Sequence, residues 1–416
     1  MEPVKTLLLG AGSRGMFAYG AFARSNPGLL RITAAVEPDP AKRRRIQEEH
    51  SIPEGFLYTT WEEAFAKLPP VEAVIIATPD NLHIGPILAS IQNNFHILCE
   101  KPIAPALADC HSIEKASAGF DKVFMIAHVL KYTPFFSRLK ELLDTGRIGR
   151  LIGINLVESV GHIHLSHSFV RGNWRSTSES SPMILAKSCH DMDILAWLAG
   201  SSCEAVSSYG ALNYFKAENA PTDAPLRCLD GCPHLNECPY HVSKIYLGDY
   251  TGWPVNVIST DMSLAGRIKA LEDGPYGRCV FHCDNDVVDH QTAALHFASG
   301  VDASFTMSGF TMSTHRNITL FGTAGEITGD MEAASITVYD FSTLNRETIN
   351  IAEPAGGHGG GDAGFIADFV NCVRGSGGLG RNTIKDSFES HYMAFAAEAS
   401  RLERGKLLRI KDFRPE

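Results

Sequence analysis

The sequence predicts an α/β protein, with a doubly wound parallel sheet up to about residue 127 and a second α/β domain, built on a mostly antiparallel sheet, after it. Three observations predict this fold. Short aliphatic runs alternate with helix-like segments through the first 127 residues, and a glycine-rich turn follows the first of these runs. Beyond residue 150, several strand-like segments alternate in polarity, which is typical of an antiparallel sheet with one open face.

The first element is a strand, a tight turn and a helix. The apolar run 7–9 leads into a Gly-x-Gly-x-x-Gly pattern. In such a turn the first glycine permits the sharp bend, the second lets the backbone approach a pyrophosphate, and the third packs the helix against the strand. The turn residues assigned to a dinucleotide are Gly10, Gly12, Ser13, Arg14 and Gly15.

Glu37 directly follows the second predicted strand, 32–36. There its carboxylate can accept hydrogen bonds from the hydroxyls of an adenosine ribose, and it repels a 2′-phosphate, so NAD is favoured over NADP. The basic run 42–45 is the argument for NADP. It begins five residues later and fits the solvated face of the next helix.

Three more strands, 71–79, 95–99 and 123–127, complete the first sheet. The first two end in polar loops, and the carboxyl ends of parallel strands face the ligand. The loop residues assigned to the cofactor are Thr78, Pro79, Asn81, His83, Glu100 and Lys101.

The rest of the chain predicts a different sheet. Its strand-like segments are 151–160, 292–297, 301–307, 317–321 and 334–339. The open face of such a sheet could pair two subunits. A Pro- and Cys-rich insertion lies between about residues 215 and 286, and a helix at 384–403 closes the fold.

Composition excludes several classes of function. The chain carries 37 basic and 47 acidic residues, a net charge of −10, which argues against binding to nucleic acid. Neither a signal segment nor an apolar run of about 18 residues is visible, so we expect no membrane association and a cytoplasmic protein. In that compartment the ten cysteines are expected to be reduced.

Four motifs occur in order: the glycine turn, A-T-P-D-N-L-H at 77–83, E-K-P at 100–102 and H-D-M-D at 190–193. Together they resemble the Gfo/Idh/MocA oxidoreductases over nearly the whole chain. The resemblance implies a Rossmann NAD-binding domain, 1–127, and a substrate-binding and oligomerisation domain, 128–416, with a large open sheet. It also implies a nicotinamide cofactor, a sugar, sugar acid or cyclitol as substrate, and a homodimer or homotetramer.

Hydride transfer from a carbinol carbon needs a base for the hydroxyl proton and a cation near the oxygen. Lys101 is placed at a strand end to be that cation, and the resemblance makes it the catalytic-motif lysine. His190 is the candidate acid/base, because the ordinary pKa of histidine, near 6.5, suits proton transfer at neutral pH. A buried structural histidine is the alternative.

Segment 183–198 has helical spacing, and many family members carry an aspartate four residues before the histidine. This chain has Ala186 there and Lys187 one residue later. One helical turn would put Lys187 on nearly the same face as His190. There it would lower the histidine pKa and bind an anionic substrate or carry the proton, so the acid/base role is assigned to both residues. The alternative is that Lys187 points to water.

Segment 161–175 follows the first strand of the second domain and is polar and aromatic. Its histidines lack accompanying carboxylates, so we predict a pocket lining for a sugar that bears an anion, with a plain surface loop as the alternative. The resemblance adds Lys131 and Tyr132, which lie just after the last Rossmann strand, as substrate contacts. His128, nearby, replaces an asparagine that is common in the family. The loop 358–362 could cap the pocket, or it could be a flexible connector. The residues assigned to the substrate are Lys131, Tyr132, His164, His167, Arg171, Trp174, Arg175 and His358.

Three cysteines of the insertion, Cys228, Cys232 and Cys238, lie within eleven positions. They could wrap a tetrahedral ion, with Cys279 or Cys283 as the fourth ligand. We therefore hypothesise a structural zinc or, second to it, an iron–sulfur centre. Free or disulfide-linked thiols are the alternative.

The leading hypothesis is an NAD-dependent dehydrogenase acting on a sugar or polyol. The wider family suggests a second class, an NAD-dependent glycosidase that oxidises C3 transiently, eliminates the aglycone and returns the hydride. Such an enzyme produces no net NADH. A binding protein that only retains the nucleotide fold is disfavoured by the presence of both Lys101 and His190.

Overall fold

The computed structural model describes residues 2–352, 357–378 and 381–415. Within these residues the first sheet is parallel and has six strands in the order β3-β2-β1-β4-β5-β6. Its strands are Val4–Leu9 (β1), Leu30–Val36 (β2), Leu57–Tyr58 (β3), Ala73–Ile76 (β4), His96–Cys99 (β5) and Phe124–Ile126 (β6). The order reverses between β1 and β4, so the cleft at their carboxyl ends is where a doubly wound sheet binds its ligand.

Three of the described helices of this half start where a side chain accepts hydrogen bonds from their first N–H groups. Asp39 accepts from Ala41 N and Lys42 N at the start of α2, and Pro40 takes the first helical position. The helices up to residue 144 are Ala21–Ser25 (α1), Pro40–His50 (α2), Trp61–Lys67 (α3), Ile84–Gln92 (α4), Leu107–Ser117 (α5) and Pro134–Asp144 (α6). A π-helical turn, Gly15–Gly20, precedes α1.

The second sheet has nine strands within the described ranges, in the order β14-β13-β12-β11-β7-β10-β9-β8-β15. Its strands are Leu151–Ser159 (β7), Cys203–Ala211 (β8), His290–Phe297 (β9), Asp302–Ser308 (β10), His315–Gly322 (β11), Gly325–Asp330 (β12), Ser335–Asp340 (β13), Arg346–Asn350 (β14) and Leu408–Arg409 (β15). Only β7 and β10 pair in parallel among these strands; the other pairs are antiparallel. The predicted fold class, a parallel sheet followed by a mostly antiparallel one, is confirmed.

Helices cover one face of the second sheet. Strand β9 alternates buried and exposed residues, and α14 packs against β8 and α9 on the buried side. The helices after residue 160 are His162–His164 (α7), Met183–Ala186 (α8), Cys189–Ala199 (α9), Val242–Tyr246 (α10), Val255–Ile258 (α11), Leu264–Asp273 (α12), Gly361–Val373 (α13) and Ile384–Leu402 (α14). One apolar cluster runs from the first sheet into the second, so the two halves share a core.

In the part of the chain that the structure describes, no helix combines the length and the apolar character needed to cross a membrane.

Candidate active site

The glycine turn after β1 has the geometry that a dinucleotide needs. Gly10 has a φ of +91°, and a Cβ there would lie 2.6 Å from Ala77 O. A Cβ on Gly15 would lie 2.0 Å from Gly10 O, whereas a Cβ on Gly12 would meet no described atom within 4 Å. The first and third glycines are therefore required by the turn itself, and the second faces the open space into which a phosphate would fit.

Glu37 is held beside this turn at the end of β2. Its buried carboxylate accepts hydrogen bonds from Ala11 N at 2.8 Å and Asp39 N at 2.9 Å. Of the basic run on α2, Arg44 and Arg45 form ion pairs with glutamates four residues later on the same helix. Those two cations therefore lie on the solvated face of α2.

The loops after β4 and β5 are tied to one another. His83 bridges them, with ring nitrogens 3.0 Å from Thr78 O and 2.8 Å from Pro102 O. Thr78 Oγ1 is buried and has no hydrogen-bond partner among the described residues, whereas Asn81 is exposed after Pro79. Because buried hydroxyls are normally bonded, the unpaired Thr78 hydroxyl marks a place where a ligand can bind.

Glu100 and Arg14 form an ion pair under the glycine turn. Arg14 Nε donates to Glu100 at 2.5 Å, and Tyr19 Oη donates to the same carboxylate at 2.8 Å. Burial opposes ionisation, but Arg14 overcomes it and lowers the pKa of Glu100. Arg14 also donates to Asp362, which lies 3.1 Å from His358 Nδ1. These contacts fasten the 358–362 segment to the dinucleotide turn.

Lys101 reaches from the end of β5 into the second half of the chain. Its Nζ donates to Ala186 O at 2.5 Å and lies 5.8 Å from the centroid of the Trp174 ring. Trp174 Nε1 in turn donates to Asp80 at 3.1 Å. The lysine therefore lies at the boundary between the two halves, with an aromatic ring beside it.

His190, in the first turn of α9, lies deep in the same cleft with only 4% of its surface exposed. Burial, and then the nearby charges led by Lys101, hold the pKa of His190 well below its usual 6.5. The imidazole is therefore neutral at pH 7 and can accept a proton. Its Nδ1 has no hydrogen-bond partner among the described residues. The centroid of its ring lies 5.7 Å from that of His128 and 5.9 Å from that of His358.

The continuous helix predicted for 183–198 is wrong. Helix α8 ends at Ala186 and α9 begins at Cys189. In a continuous helix Ala186 O would accept the His190 N–H, but this carbonyl accepts from Lys101 Nζ instead. Ser188 Oγ, in the break, donates to Glu158 at 2.7 Å.

Lys187 consequently does not follow helical spacing from His190. Its Nζ lies 3.6 Å from Glu158 Oε1, and the side chain is only 13% exposed, so it does not point freely to water. Burial lowers the pKa of Lys187, and the positive charges of Arg316 and Lys101 add to that effect. Lys187 therefore lies in the same charged environment as Lys101.

Three residues assigned to the substrate join this group: His164, Trp174 and His358. The His164 ring packs edge-on against Trp253, with centroids 4.8 Å apart. Burial, followed by the charges of Lys187, His167 and Lys101, holds the pKa of His164 well below 6.5. The cleft thus brings together two lysines, three histidines and a tryptophan.

Comparison with known proteins places this geometry in a family. Residues 4–128 match the family model described as "Oxidoreductase family, NAD-binding Rossmann fold", and residues 140–405 match the companion model of its C-terminal alpha/beta domain. The chain belongs to the Gfo/Idh/MocA family of oxidoreductases. The resemblance predicted from the four motifs is confirmed.

Curated relatives of this Gfo/Idh/MocA protein include oxidoreductase YteT of Bacillus subtilis, 26% identical over 359 residues, with 81% of each chain covered. Inositol 2-dehydrogenase of Streptomyces avermitilis is 30% identical over 203 residues, which cover 48% of this chain and 56% of that relative. The matched segment therefore covers about half of that inositol dehydrogenase.

Solved structures share the fold. A levoglucosan dehydrogenase in complex with NADH and levoglucosan matches with a TM-score of 0.71 at 16% identity, covering 98% of this chain and all of that one. The myo-inositol 2-dehydrogenase of Lactobacillus plantarum matches with a TM-score of 0.68 at 15% identity, covering 98% and 99%. At these identities the likeness shows the common fold.

Other residues assigned to the substrate lie in the interior of this Gfo/Idh/MocA protein. Lys131 Nζ pairs with Asp193 at 2.8 Å, and Tyr132 Oη donates to Asp368 at 2.6 Å. His167 Nδ1 lies 2.9 Å from Tyr246 Oη. Each polar end already has a protein partner, so the structure does not bring these three residues into the pocket.

Arg171 and Arg175 also lie away from the pocket. Arg171 is fully buried and donates to Arg278 O and Tyr240 O, both at 2.7 Å. Arg175 pairs with Asp284 at 2.9 Å and with Glu179 at 3.0 Å near the surface. The backbone carbonyls of the insertion need donors, and Arg171 supplies them in place of a contact with substrate.

Replacing Arg171 with methionine is therefore expected to destabilise the protein by about 2–4 kcal/mol, because two buried carbonyls lose their donor. Arg175→Met is the matched control and should change stability by less than about 1 kcal/mol, since its ion pairs are partly solvated. Urea unfolding of both variants measures the difference. Equal losses would contradict the interior role of Arg171.

The metal hypothesis for the insertion is not supported. Among the described residues there is no group of three or more His, Cys, Asp or Glu side chains arranged to hold an ion. Arg171 Nη2 lies 3.9 Å from Cys228 Sγ, and a guanidinium there would repel a cation. All ten cysteines, Cys232 and Cys238 included, are free thiols in the structure.

Sequence reasoning missed a buried ionic cluster behind the cleft. Arg316 donates to Asp191 at 2.6 Å and to Glu158 at 2.7 Å. Burial raises the pKa of Asp191, and despite burial Arg316 lowers that of Glu158. Asp191 belongs to the H-D-M-D motif and could have been found. Glu158 and Arg316 carry no local signal, because β7 and β11 meet only in the sheet.

Proposed function

We propose that this protein is an NAD-dependent dehydrogenase that moves a hydride between NAD and a carbinol carbon of a sugar, sugar acid or cyclitol. The observation that carries the proposal is the pairing of Lys101 with His190. Lys101 comes from a strand end of the dinucleotide sheet, and its Nζ donates at 2.5 Å to Ala186 O, four residues before His190, whose pKa its charge helps to lower. A cation and a neutral imidazole in one cleft are the two groups that carbinol oxidation requires.

The residues present fit the cofactor. Gly12 faces open space, Glu37 is fixed beside the turn where a ribose diol would lie, and the buried Thr78 hydroxyl lacks a partner among the described residues. These three residues would hold the phosphates, the ribose and the nicotinamide half, respectively. The carboxylate of Glu37 favours NAD over NADP. When bound, the cofactor supplies the hydride acceptor.

The side chains supply the proton chemistry. Lys101 donates a hydrogen bond to the reacting oxygen and stabilises the negative charge that develops there as the hydroxyl proton leaves. His190 accepts that proton during oxidation and returns it during reduction. Trp174, beside Lys101, offers an apolar plate on which a sugar ring can lie.

The relatives support the substrate class. Inositol 2-dehydrogenase is named for a cyclitol, and the levoglucosan dehydrogenase of the same fold was solved with NADH and an anhydrosugar. Both substrates present ring hydroxyls. This likeness favours a ring polyol over an open-chain alcohol.

The test is a panel of sugars, sugar acids, cyclitols and aryl glycosides, with NAD and NADP, read by NADH absorbance and by release of the aglycone. We expect the reduced nicotinamide cofactor to accumulate, and to form faster with NAD than with NADP. Aglycone release without NADH would instead identify the redox-neutral glycosidase. If purified protein bound NAD but acted on no member of the panel, the proposal would fail.

We also propose that two or four copies of the chain assemble through the outward face of the second sheet, in the cytoplasm. That face carries a groove of about 300 Å³ lined by side chains such as Asn155, Asn317, Thr319 and Thr328. Uncovered polar side chains at sheet spacing can pair with their copies. Light scattering gives the mass, and a 45.2 kDa particle would contradict the proposal.

A further inference from the structure

We infer that the substrate is anionic, a sugar acid with its carboxylate close to the reacting carbinol, and that Lys187 and His164 form the subsite that binds the carboxylate. This inference rests on the proposed function and narrows its substrate class. It depends on how charge is distributed between the wall of the cleft and the layer behind it.

The partly exposed ionisable groups around Lys101 are basic. Lys187 is 13% exposed at its side chain, His358 is 40% exposed, and His164 and Lys101 are intermediate. The acids of the same region lie behind them and have protein partners. Those less than a tenth exposed are Asp80, Glu100, Glu158, Asp191, Asp193 and Asp362, and the last of these pairs with Arg14 and with His358. A ligand entering the cleft therefore meets two ammonium groups, those of Lys101 and Lys187, whereas the pKa of His164 is held well below 6.5.

Lys187 has hydrogen-bonding capacity to spare. Its nearest carboxylate oxygen, on Glu158, is 3.6 Å away, and Glu158 already accepts from Arg316 and Ser188 at 2.7 Å each. Within the described ranges, no residue forms a hydrogen bond with Lys187 Nζ. A nearly buried ammonium with free N–H groups is strongly stabilised by an anion that approaches it.

The charges of the cleft and of the cluster behind it also favour an anionic substrate. When Lys187, Arg316, Glu158 and Asp191 are all ionised, the cluster behind the cleft carries no net charge. Burial raises the pKa of Asp191, which favours its neutral form over its charged form. During oxidation the nicotinamide ring brings a further positive charge. A substrate carboxylate would offset these charges in a site where water screens them poorly.

A backbone contact of Lys101 indicates how close the substrate carboxylate lies to the reacting carbon. Lys101 Nζ binds Ala186 O, the carbonyl next to Lys187. Lys101 Nζ therefore ends beside the peptide from which the Lys187 side chain starts, and we expect one small molecule to contact both ammonium groups. His164 completes the subsite, because its ring feels the charges of both Lys187 and Lys101. The carboxylate should lie within a few bonds of the reacting carbinol, as it does in a uronic or aldonic acid.

The test compares matched substrates: glucose with glucuronate and gluconate, and galactose with galacturonate. We expect at least one acid to exceed its neutral partner at least tenfold in kcat/KM. Lys187→Met should lower kcat/KM for that acid roughly tenfold to hundredfold more than it lowers kcat/KM for the neutral partner. Lys187→Arg should retain the preference, and Lys269→Met, on the exposed face of α12, is the matched control.

A binding measurement separates this inference from the proposed function. Calorimetry with wild-type protein, NAD and each uronate or gluconate should show binding that Lys187→Met weakens, even if no NADH forms. Neutral sugars that react as well as acids, with Lys187→Met acting on both equally, would overturn the anion subsite and leave the dehydrogenase intact. Absence of binding of every acid would overturn it as well. If Lys187→Met does not fold, as judged by its melting curve, Lys187→Gln replaces it.

Discussion

Lys101→Met is expected to lower kcat for NADH formation about 10²–10³-fold. Methionine keeps the length and apolar stem of lysine but removes the ammonium that would face the reacting oxygen. Binding of NAD should change little, because the turn glycines and Glu37, which would hold its other half, are untouched. Steady-state kinetics with the best sugar of the panel give kcat, and titration of the tryptophan fluorescence gives Kd for NAD.

Two features make the result interpretable. Lys101 Nζ also binds Ala186 O, so Lys101→Met should cost some stability, and its melting curve must show a folded protein at the assay temperature. Lys269→Met, on the exposed face of α12, should retain wild-type kcat. A Lys101→Met protein that kept a tenth or more of wild-type kcat would show that this ammonium is not at the reacting oxygen.

The dinucleotide half was predictable because its signals are local. Gly10, Gly12 and Gly15 follow β1 directly, and a backbone turn with such tight contacts admits few other residues. Lys101 was predictable for the same reason, since it follows a buried strand at the ligand-facing edge of the sheet. Strand β8, Cys203–Ala211, was missed, because its small and polar residues carry little of the β-branched pattern that marks a strand.

The cleft itself was harder to predict, because it depends on contacts between distant parts of the chain. The helix break at Lys187 exists because Lys101, 85 residues earlier, takes the carbonyl of Ala186. The polar character of Arg171 suggested a sugar site, yet its partners are carbonyls 69 and 107 residues away. Hydrophobic periodicity shows which face of a helix or strand is buried, but it does not show which groups a long polar side chain contacts there.

Acid is expected to unfold this protein from just below pH 6.5, because four histidines, three of them buried and His164 partly exposed, are neutral in the folded state. Burial, the main cause, lowers the pKa of His167 and of His391 to about 3 and holds those of His164 and His190 well below 6.5. An unfolded chain binds these protons near pH 6.5, so stability is complete above that pH and falls as the pH drops towards the folded values.

The size of this effect follows from proton uptake. Each histidine contributes on the order of 1.4 kcal/mol per pH unit, and four contribute about 5 kcal/mol per pH unit, against a net stability of about 5–15 kcal/mol. The midpoint of acid unfolding should therefore lie between about pH 4 and 6. Urea unfolding at pH 7.5, 6.5 and 5.5 measures the slope.

His167→Gln should flatten the slope by about one proton, because glutamine can still bond Tyr246 Oη but does not titrate. His296→Gln is the matched control. His296 lies on the exposed face of β9, and its hydrogen bond with Asp302 raises its pKa, so the folded state binds its proton and its removal should not flatten the slope. Equal free energies of unfolding at pH 7.5 and 5.5 would mean that the buried histidines already carry their protons in the folded protein. His190 could then not accept the hydroxyl proton on which the proposed oxidation depends.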